Sequence, residues 1–214
     1  MNVSLRDKKL ILLDFDGTIA DTVQVFVHVN NSHFKEYGTK FLTKEDVVRL
    51  KKMSDFEALQ FLDINFIEFF LISRKFLKQI RAYMPSAPAF DGMIELLNKI
   101  YKAGKHCSIV SRNSVANIKS FLKQHNVSHI SHIESEGLIM RKHKIIKKLL
   151  KEYSLSVSDC VLVGDRLSDF ESAKKAGIDF IFVTWGYGSP NTEQRQELSH
   201  VASSVGELEN MLLI

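Results

Sequence analysis

Hydrophobic positions along the chain follow two different periods, and the switch between them organises the fold. The run Leu10–Leu13 is apolar at every position, which is the texture of a strand buried on both faces of a parallel sheet. From about residue 21 to residue 84 apolar positions recur at three and four instead, the helical period. Thr43/Asp46, Ser54/Glu57 and Asn65/Glu68 each place an acid three residues after a capping side chain, so helices are predicted to start at these points. A further helix is predicted over Thr22–Tyr37, with Val23, Phe26, Val27, Asn30 and Phe34 on its buried stripe and Gly38 at its end. The last helix of the block carries Ile67, Phe70, Leu71, Leu77 and Ile80, and Pro85 and Pro88 close the block.

From Gly92 onward helices alternate with short apolar runs. Helices predicted over residues 93–102, 115–124, 144–153 and 169–176 separate strands predicted over 108–111, 130–133, 160–164 and 180–184. Such alternation implies a parallel sheet. The strand Leu10–Leu13 belongs to that sheet although the helical block separates it from its neighbours, so the block is an insertion. The expected architecture is α/β: a doubly wound parallel sheet from residues 1–20 and 86–214, with a small all-helical domain inserted as residues 21–85.

Composition narrows the class without changing this picture. The 214 residues are 45% hydrophobic and 25% charged with 3 Pro, which excludes disordered, collagen-like and low-complexity chains. The net charge of +4 is spread along the chain apart from the basic run 141–151, so a nucleic-acid footprint is not expected, whereas a small anionic substrate suits it. Cys107 and Cys160 both lie in apolar runs and read as buried reduced thiols, which favours a cytoplasmic location. The apolar stretch at the start is too short for a signal-peptide core, and residues 61–73 are interrupted by Asp63, Asn65 and Glu68, so no membrane span is expected.

The candidate chemistry begins where the first strand ends, in Asp14-Phe15-Asp16-Gly17-Thr18. Residues two apart on a strand share a face, so Asp14 and Asp16 project together while Phe15 turns away. Gly17 allows a sharp exit, and Thr18 can offer its hydroxyl and N–H to an anion. Asp and Gly are common turn residues, but an apolar run leading into this whole pattern should occur by chance in fewer than about one chain in several hundred. A second acidic turn, Gly164-Asp165-Arg166-Leu167-Ser168-Asp169, follows the run Val161-Leu162-Val163. Ligands of open parallel sheets sit outside the carboxyl ends of strands, where both turns lie.

A third strand end, at Ser111-Arg112-Asn113-Ser114, combines hydroxyls, an amide and a helix N-terminus and can seat a phosphate; helix capping by Ser111 and Ser114 explains the same residues equally well. Lys142 and Lys144 precede the helix that leads into the second acidic turn, and one ammonium can reach a bound phosphate or neutralise the carboxylates. Clustered carboxylates demand a cation, and oxygen-only ligands point to Mg²⁺. His125, His129 and His132 are spaced suggestively but cross from a helix end into a strand with no supporting ligand, so a histidine metal site is not expected. A carboxylate beside Mg²⁺ can attack a phosphoryl group, and a second on the same face can protonate the leaving alkoxide and then deprotonate water.

With these residues in view, the chain resembles the haloacid dehalogenase superfamily, and within it the phosphoglycolate-phosphatase-like group. LILLDFDGTIADT is similar to the first motif of that family, which implies Asp14 as nucleophile, Asp16 as general acid/base with its backbone carbonyl on Mg²⁺, and a helical cap after it. Ser111 in IVSRN resembles the phosphate-binding hydroxyl of the second motif, with Arg112 and Asn113 where Asn-Lys is commoner. VGDRLSDFESAKKAG resembles the fourth motif, implying Asp165 as metal ligand and Asp169 as its supporting acid, and TWGYGS resembles a turn common after the last core strand. The third motif usually has Lys-Pro; here Arg141-Lys142-His143-Lys144 stands in its place, and Lys142 is preferred because it precedes the first buried stripe residues.

The resemblance implies a Mg²⁺-dependent phosphatase acting on a small phosphorylated metabolite, phosphoglycolate or another phosphate ester. Asp16 separates this branch from the dehalogenating one, which lacks that acid and uses no metal. A sugar phosphomutase on the same core and a catalytically idle binding protein are the alternatives, the second disfavoured because uncompensated like charges destabilise a fold that keeps them.

Overall fold

The computed structural model describes residues 4–50, 53, 55–62, 66–136 and 142–214, apart from the side chains of 55, 56 and 66–73. Ser54, Asn65 and Arg141 lie outside the described residues, as do the side chains of Ile67, Glu68, Phe70 and Leu71.

Strand β1 (Leu10–Leu13) lies inside a six-stranded sheet, between β2 (His106–Ser111) and β4 (Cys160–Gly164). Beyond β2 lies β3 (His132–Ser135), and beyond β4 lie β5 (Asp179–Val183) and β6 (Val201–Ala202); every pair is parallel. The order β3-β2-β1-β4-β5-β6 means that the winding reverses at β1, where a crevice opens at the carboxyl ends of β1 and β4.

Alternate residues of each strand enter opposite cores. Ile11, Leu13, Val161, Val163 and Ile109 pack beneath α5 (Met93–Lys102), α6 (Val115–Gln124) and α10 (Val205–Leu213). Leu10, Leu12, Leu162 and Val110 pack on the other face against α7 (Lys142–Glu152) and α8 (Leu167–Ala176). A sheet covered on both faces explains why β1 is apolar at all four positions. Phe15 continues the first face, its ring edge-on to Phe121 at 5.1 Å, so Asp14 and Asp16 are left on the opposite side.

Among the described residues, four helices, α1 (Thr22–Tyr37), α2 (Lys44–Leu50), α3 (Asp55–Phe61) and α4 (Phe66–Tyr83), stand between β1 and α5. The predicted cap at Thr43 is reciprocal: Asp46 N–H donates to the Thr43 hydroxyl at 3.3 Å and Thr43 N–H to the Asp46 carboxylate at 3.0 Å. The stripe predicted for α1 is corrected. Asn30 is buried as predicted, but the other buried residues are Val25, Val29 and Tyr37, while Phe26 and Val27 join a separate cluster with Leu42, Leu50 and Leu62. This helix has apolar neighbours on two sides, so a single stripe does not describe it. On α4, Ile80 packs against the core as predicted, but Leu77 is 61% exposed and Phe76 faces the core in its place.

Strand β3 begins two residues later than its apolar pattern suggests. Pairing with β2 sets its span: Ser131 N–H donates to Cys107 O at 2.7 Å, and Glu136 N–H to Ser111 O at 3.0 Å. Helix α9 (Thr192–Glu197), β6 and α10 were not anticipated by the periodicity, although Asn191/Gln194 and Ser204/Glu207 are capping pairs of the kind read elsewhere. Among the described residues no helix is long and apolar enough to cross a membrane.

Cys107 and Cys160 are buried on opposite faces of the sheet, and burial pushes both thiols up to about 12. The native protein at pH 8 is therefore expected to titrate no thiol with a disulfide reagent within minutes, and two after denaturation. Rapid labelling of the folded protein would contradict this packing.

Candidate active site

Each acidic side chain of the crevice is aimed by the element that carries it. Asp14 is the first residue past β1 and still pairs with the neighbouring strand, its N–H donating to Val163 O at 2.9 Å. Asp165 follows β4, and Asp169 sits in the first turn of α8, where its carboxylate accepts the Arg166 N–H at 3.2 Å. One oxygen from each of Asp14, Asp165 and Asp169 lies within 4.8 Å of the others, and all three residues are buried.

Lys142, the first residue of α7, enters this cluster from the side. Its Nζ donates to Asp14 Oδ1 at 2.8 Å and Asp169 Oδ1 at 2.6 Å. Burial alone would lower the ammonium, but the carboxylates of Asp14 and Asp169 outweigh it and hold Lys142 above the ordinary lysine range. Lys144 is exposed. Asp165 is pushed up to about 7 by burial and then by the neighbouring charges of Asp14 and Asp169. Asp169 is also raised, by burial, against the pull of Lys142. Three carboxylates against one ammonium leave two negative charges unbalanced when all are ionised. The donor set is all oxygen, so the cluster fits a hard divalent cation.

The Asp16 carboxylate stands apart from these three. Its Oδ1 accepts from the Thr22 hydroxyl at 2.7 Å and the Asn113 amide at 2.9 Å, and its Oδ2 lies 3.4 Å from the Ser111 hydroxyl. Burial, followed by the charge of Asp14, raises its carboxyl above the usual range. Ser111 and Asn113 thus meet Asp16 at one wall, and Arg112 lines the same cavity. Capping of α6 falls to Ser114, whose hydroxyl accepts the Asn117 N–H at 3.2 Å. Thr18 does not reach the cavity. It is wholly buried, with its hydroxyl 3.4 Å from Asp165 Oδ1 and its N–H turned to Phe15 O, because the turn at Gly17 folds it inward.

That turn needs glycine twice over. Gly17 has φ +82°, and a Cβ there would stand 2.4 Å from the Asp165 carboxylate. The loop after β5 closes on the same carboxylate: Tyr187 N–H donates to Asp165 Oδ2 at 2.6 Å, and a side chain at Gly188 would collide with the Asp165 backbone. Tyr187 also bridges to the insertion, accepting the Val23 N–H at 3.0 Å on its hydroxyl, while Trp185 Nε1 donates to Thr18 O at 3.1 Å.

Above the acids lies a cavity of about 750 Å³. Asp14, Asp16, Ser111 and Lys142 line its floor, together with Glu136, Arg166 and Tyr187, which sequence reasoning did not assign to the site. Glu136 also accepts the Lys142 N–H at 3.1 Å. The only sequence signal for Tyr187 was the TWGYGS turn; Glu136 carried none. The rings of His125 and His129 instead face the carbonyls of Ala87 and Leu97, and His132 lies against Tyr153.

Comparison with known proteins meets this geometry from another direction. The chain is 24% identical to the phosphoglycolate phosphatase of Synechococcus elongatus over 178 residues, 83% of this chain and 84% of that one. It is 25% identical to the N-acetylmuramic acid 6-phosphate phosphatase of Pseudomonas aeruginosa over 191 residues, 85% and 84% of the two chains. The crystal structure of a predicted phosphoglycolate phosphatase from Haemophilus somnus 129pt shares the fold, with a TM-score of 0.79 at 17% identity over 95% of this chain and 97% of that one. The family profile described as haloacid dehalogenase-like hydrolase matches residues 11–183, from inside β1 to the end of β5, and so takes in both acidic turns. With most of its length under that profile, the chain belongs to the haloacid dehalogenase-like hydrolase family.

Proposed function

We propose that the protein is a Mg²⁺-dependent phosphatase that hydrolyses a small phosphate monoester through a phosphorylated Asp14, with the helices of residues 21–85 acting as its cap. The observation that carries this reading is the convergence of Asp14, Asp165 and Asp169 beside Lys142, under a cavity walled by Asp16 and Ser111. The activities by which the relatives are named, phosphoglycolate phosphatase and N-acetylmuramic acid 6-phosphate phosphatase, are of the same class.

Asp14, Asp165 and Asp169, with the Asp16 backbone carbonyl, would hold the metal. Mg²⁺ bound there supplies positive charge against the phosphoryl oxygens. A carboxylate oxygen of Asp14 forms a bond to phosphorus as the bond to the ester oxygen breaks. Asp16 gives its proton to the departing alkoxide, a role that suits a carboxyl raised by burial and the nearby Asp14 charge. In the second half Asp16 takes a proton from water, whose oxygen attacks phosphorus and releases inorganic phosphate and free Asp14. Lys142 holds Asp14 in orientation through its 2.8 Å contact, and the Ser111 hydroxyl is available to a phosphoryl oxygen. The insertion covers the crevice and keeps bulk water from the acyl phosphate.

Phosphate release from an aryl phosphate should require Mg²⁺ and fall to background in Asp14→Asn; metal-independent turnover, or none, would remove the reading. Asp16→Asn should lower kcat about 10²- to 10⁴-fold for an alkyl phosphate but much less for p-nitrophenyl phosphate, whose phenolate departs without a proton. Equal losses on both would mean that Asp16 is not the acid.

The raised Asp165 carboxyl also carries a stability signature. Its folded value of about 7 lies above the ordinary aspartate value, so the metal-free folded state binds more protons than the unfolded one between them, and stability falls as pH rises through 7. A divalent cation should relieve this. Mg²⁺ is expected to raise the melting temperature more at pH 8 than at pH 6, and Asp165→Asn should abolish the difference in calorimetry.

A further inference from the structure

The cavity has two chemically different ends, and the difference bears on which alcohol leaves. The floor is the polar group already described. The wall supplied by the insertion, among the described residues, consists of Thr22, Val23, Phe26, Leu50, Met53 and Ala58. Thr22 gives its hydroxyl to Asp16, so five apolar side chains remain to meet a ligand. They come from separate elements: Val23 and Phe26 from α1, Leu50 from the end of α2, Met53 from the bend after it and Ala58 from α3. Phe26, Leu50, Met53 and Ala58 belong to one hydrophobic cluster that continues away from the cavity through Leu42 and Leu62.

We propose that the substrate's leaving alcohol carries an apolar, uncharged group that packs against Val23, Phe26, Leu50, Met53 and Ala58, and that a second anionic group on it is disfavoured. This rests on the phosphatase reading for the orientation, which puts the phosphate on the Asp14 and Ser111 floor and the alcohol toward the insertion. A carboxylate placed against these five side chains would lose its water without gaining a donor from them. On the β3 side it would meet Glu136, itself an acid lining the cavity. Among the described residues, the guanidiniums that line the cavity, Arg112 and Arg166, belong to the turns that carry Ser111 and Asp165 and so flank the phosphate end. Size agrees. About 750 Å³ lies within the range of roughly 300–1,000 Å³ that accommodates drug-sized ligands, and a two-carbon acid would leave most of it to water.

The test uses the full-length protein with Mg²⁺ and non-hydrolysable probes, so that binding is read separately from turnover. Calorimetric affinities are measured for methyl-, propyl- and butylphosphonate and for phosphonoacetate, and kcat/KM for the matching alkyl phosphates and phosphoglycolate. Affinity should rise about fourfold per methylene, with butylphosphonate ahead of phosphonoacetate. Met53→Lys, a replacement of similar length, should narrow that preference about tenfold. A flat alkyl series, or phosphonoacetate as the tightest probe, overturns the proposal. If affinity climbs with chain length while none of the esters is hydrolysed, the apolar wall stands and the phosphatase reading falls.

Discussion

Three carboxylates and one ammonium, all withdrawn from water at one end of a parallel sheet, set the terms for the rest of this molecule. Like charges in a low-dielectric crevice repel strongly, and Lys142 relieves only part of that repulsion by bridging Asp14 and Asp169. Asp165 is bridged by no ammonium among the described residues, and although the Tyr187 N–H and the charge of Arg166 pull the other way, burial and the neighbouring acids drive it up to about 7. A fold optimised for stability alone would not assemble these groups. Their convergence is understandable as a site that a divalent cation and a phosphoryl group complete, so the repulsion among these acids is the complement of what the site is proposed to bind.

The packing around the cluster is correspondingly rigid. Gly17 and Gly188 bring two loops into contact with Asp165 at distances no side chain would permit, and Tyr187 ties that carboxylate to the first turn of α1. The hydrogen-bond donors of Thr22 and Asn113 do the same for Asp16. Acidic residues that must keep fixed separations are thus held by backbone and by neighbours whose own groups are already committed, which is what preorganisation requires.

The insertion contributes differently. Its first helix is used on two sides, with Val25 and Val29 in the main core and Phe26 and Val27 in a satellite cluster, and only its first turns touch the crevice. The polar floor comes from the sheet and the apolar wall from the inserted helices. In this division the proposed chemistry resides in the core, and the proposed choice of alcohol resides in side chains that can vary without disturbing the acids.

Much of this was legible in the order of residues, and the boundary has a physical origin. Strand and helix periods are local properties, so β1, α1, α5 and α6 lie where the pattern put them. The motif residues at strand ends were legible for the same reason, since a strand's alternation fixes which of Asp14, Phe15 and Asp16 share a side. The preference for Lys142 over Lys144 came from its place ahead of the buried stripe and agrees with the contact to Asp14, but what the pattern could not contain were distances between segments far apart in the chain: that Thr18 turns inward to Asp165, that the Asp16 carboxylate stands outside the acidic cluster, and that Tyr187 and Glu136 belong to the cavity. The two-residue shift of β3 and the divided burial of α1 arise likewise from partners that only the folded chain supplies. Sequence determines which chemistry each turn can offer because that depends on neighbours along the backbone, while the tertiary structure decides which offers meet, because that depends on how the sheet is wound.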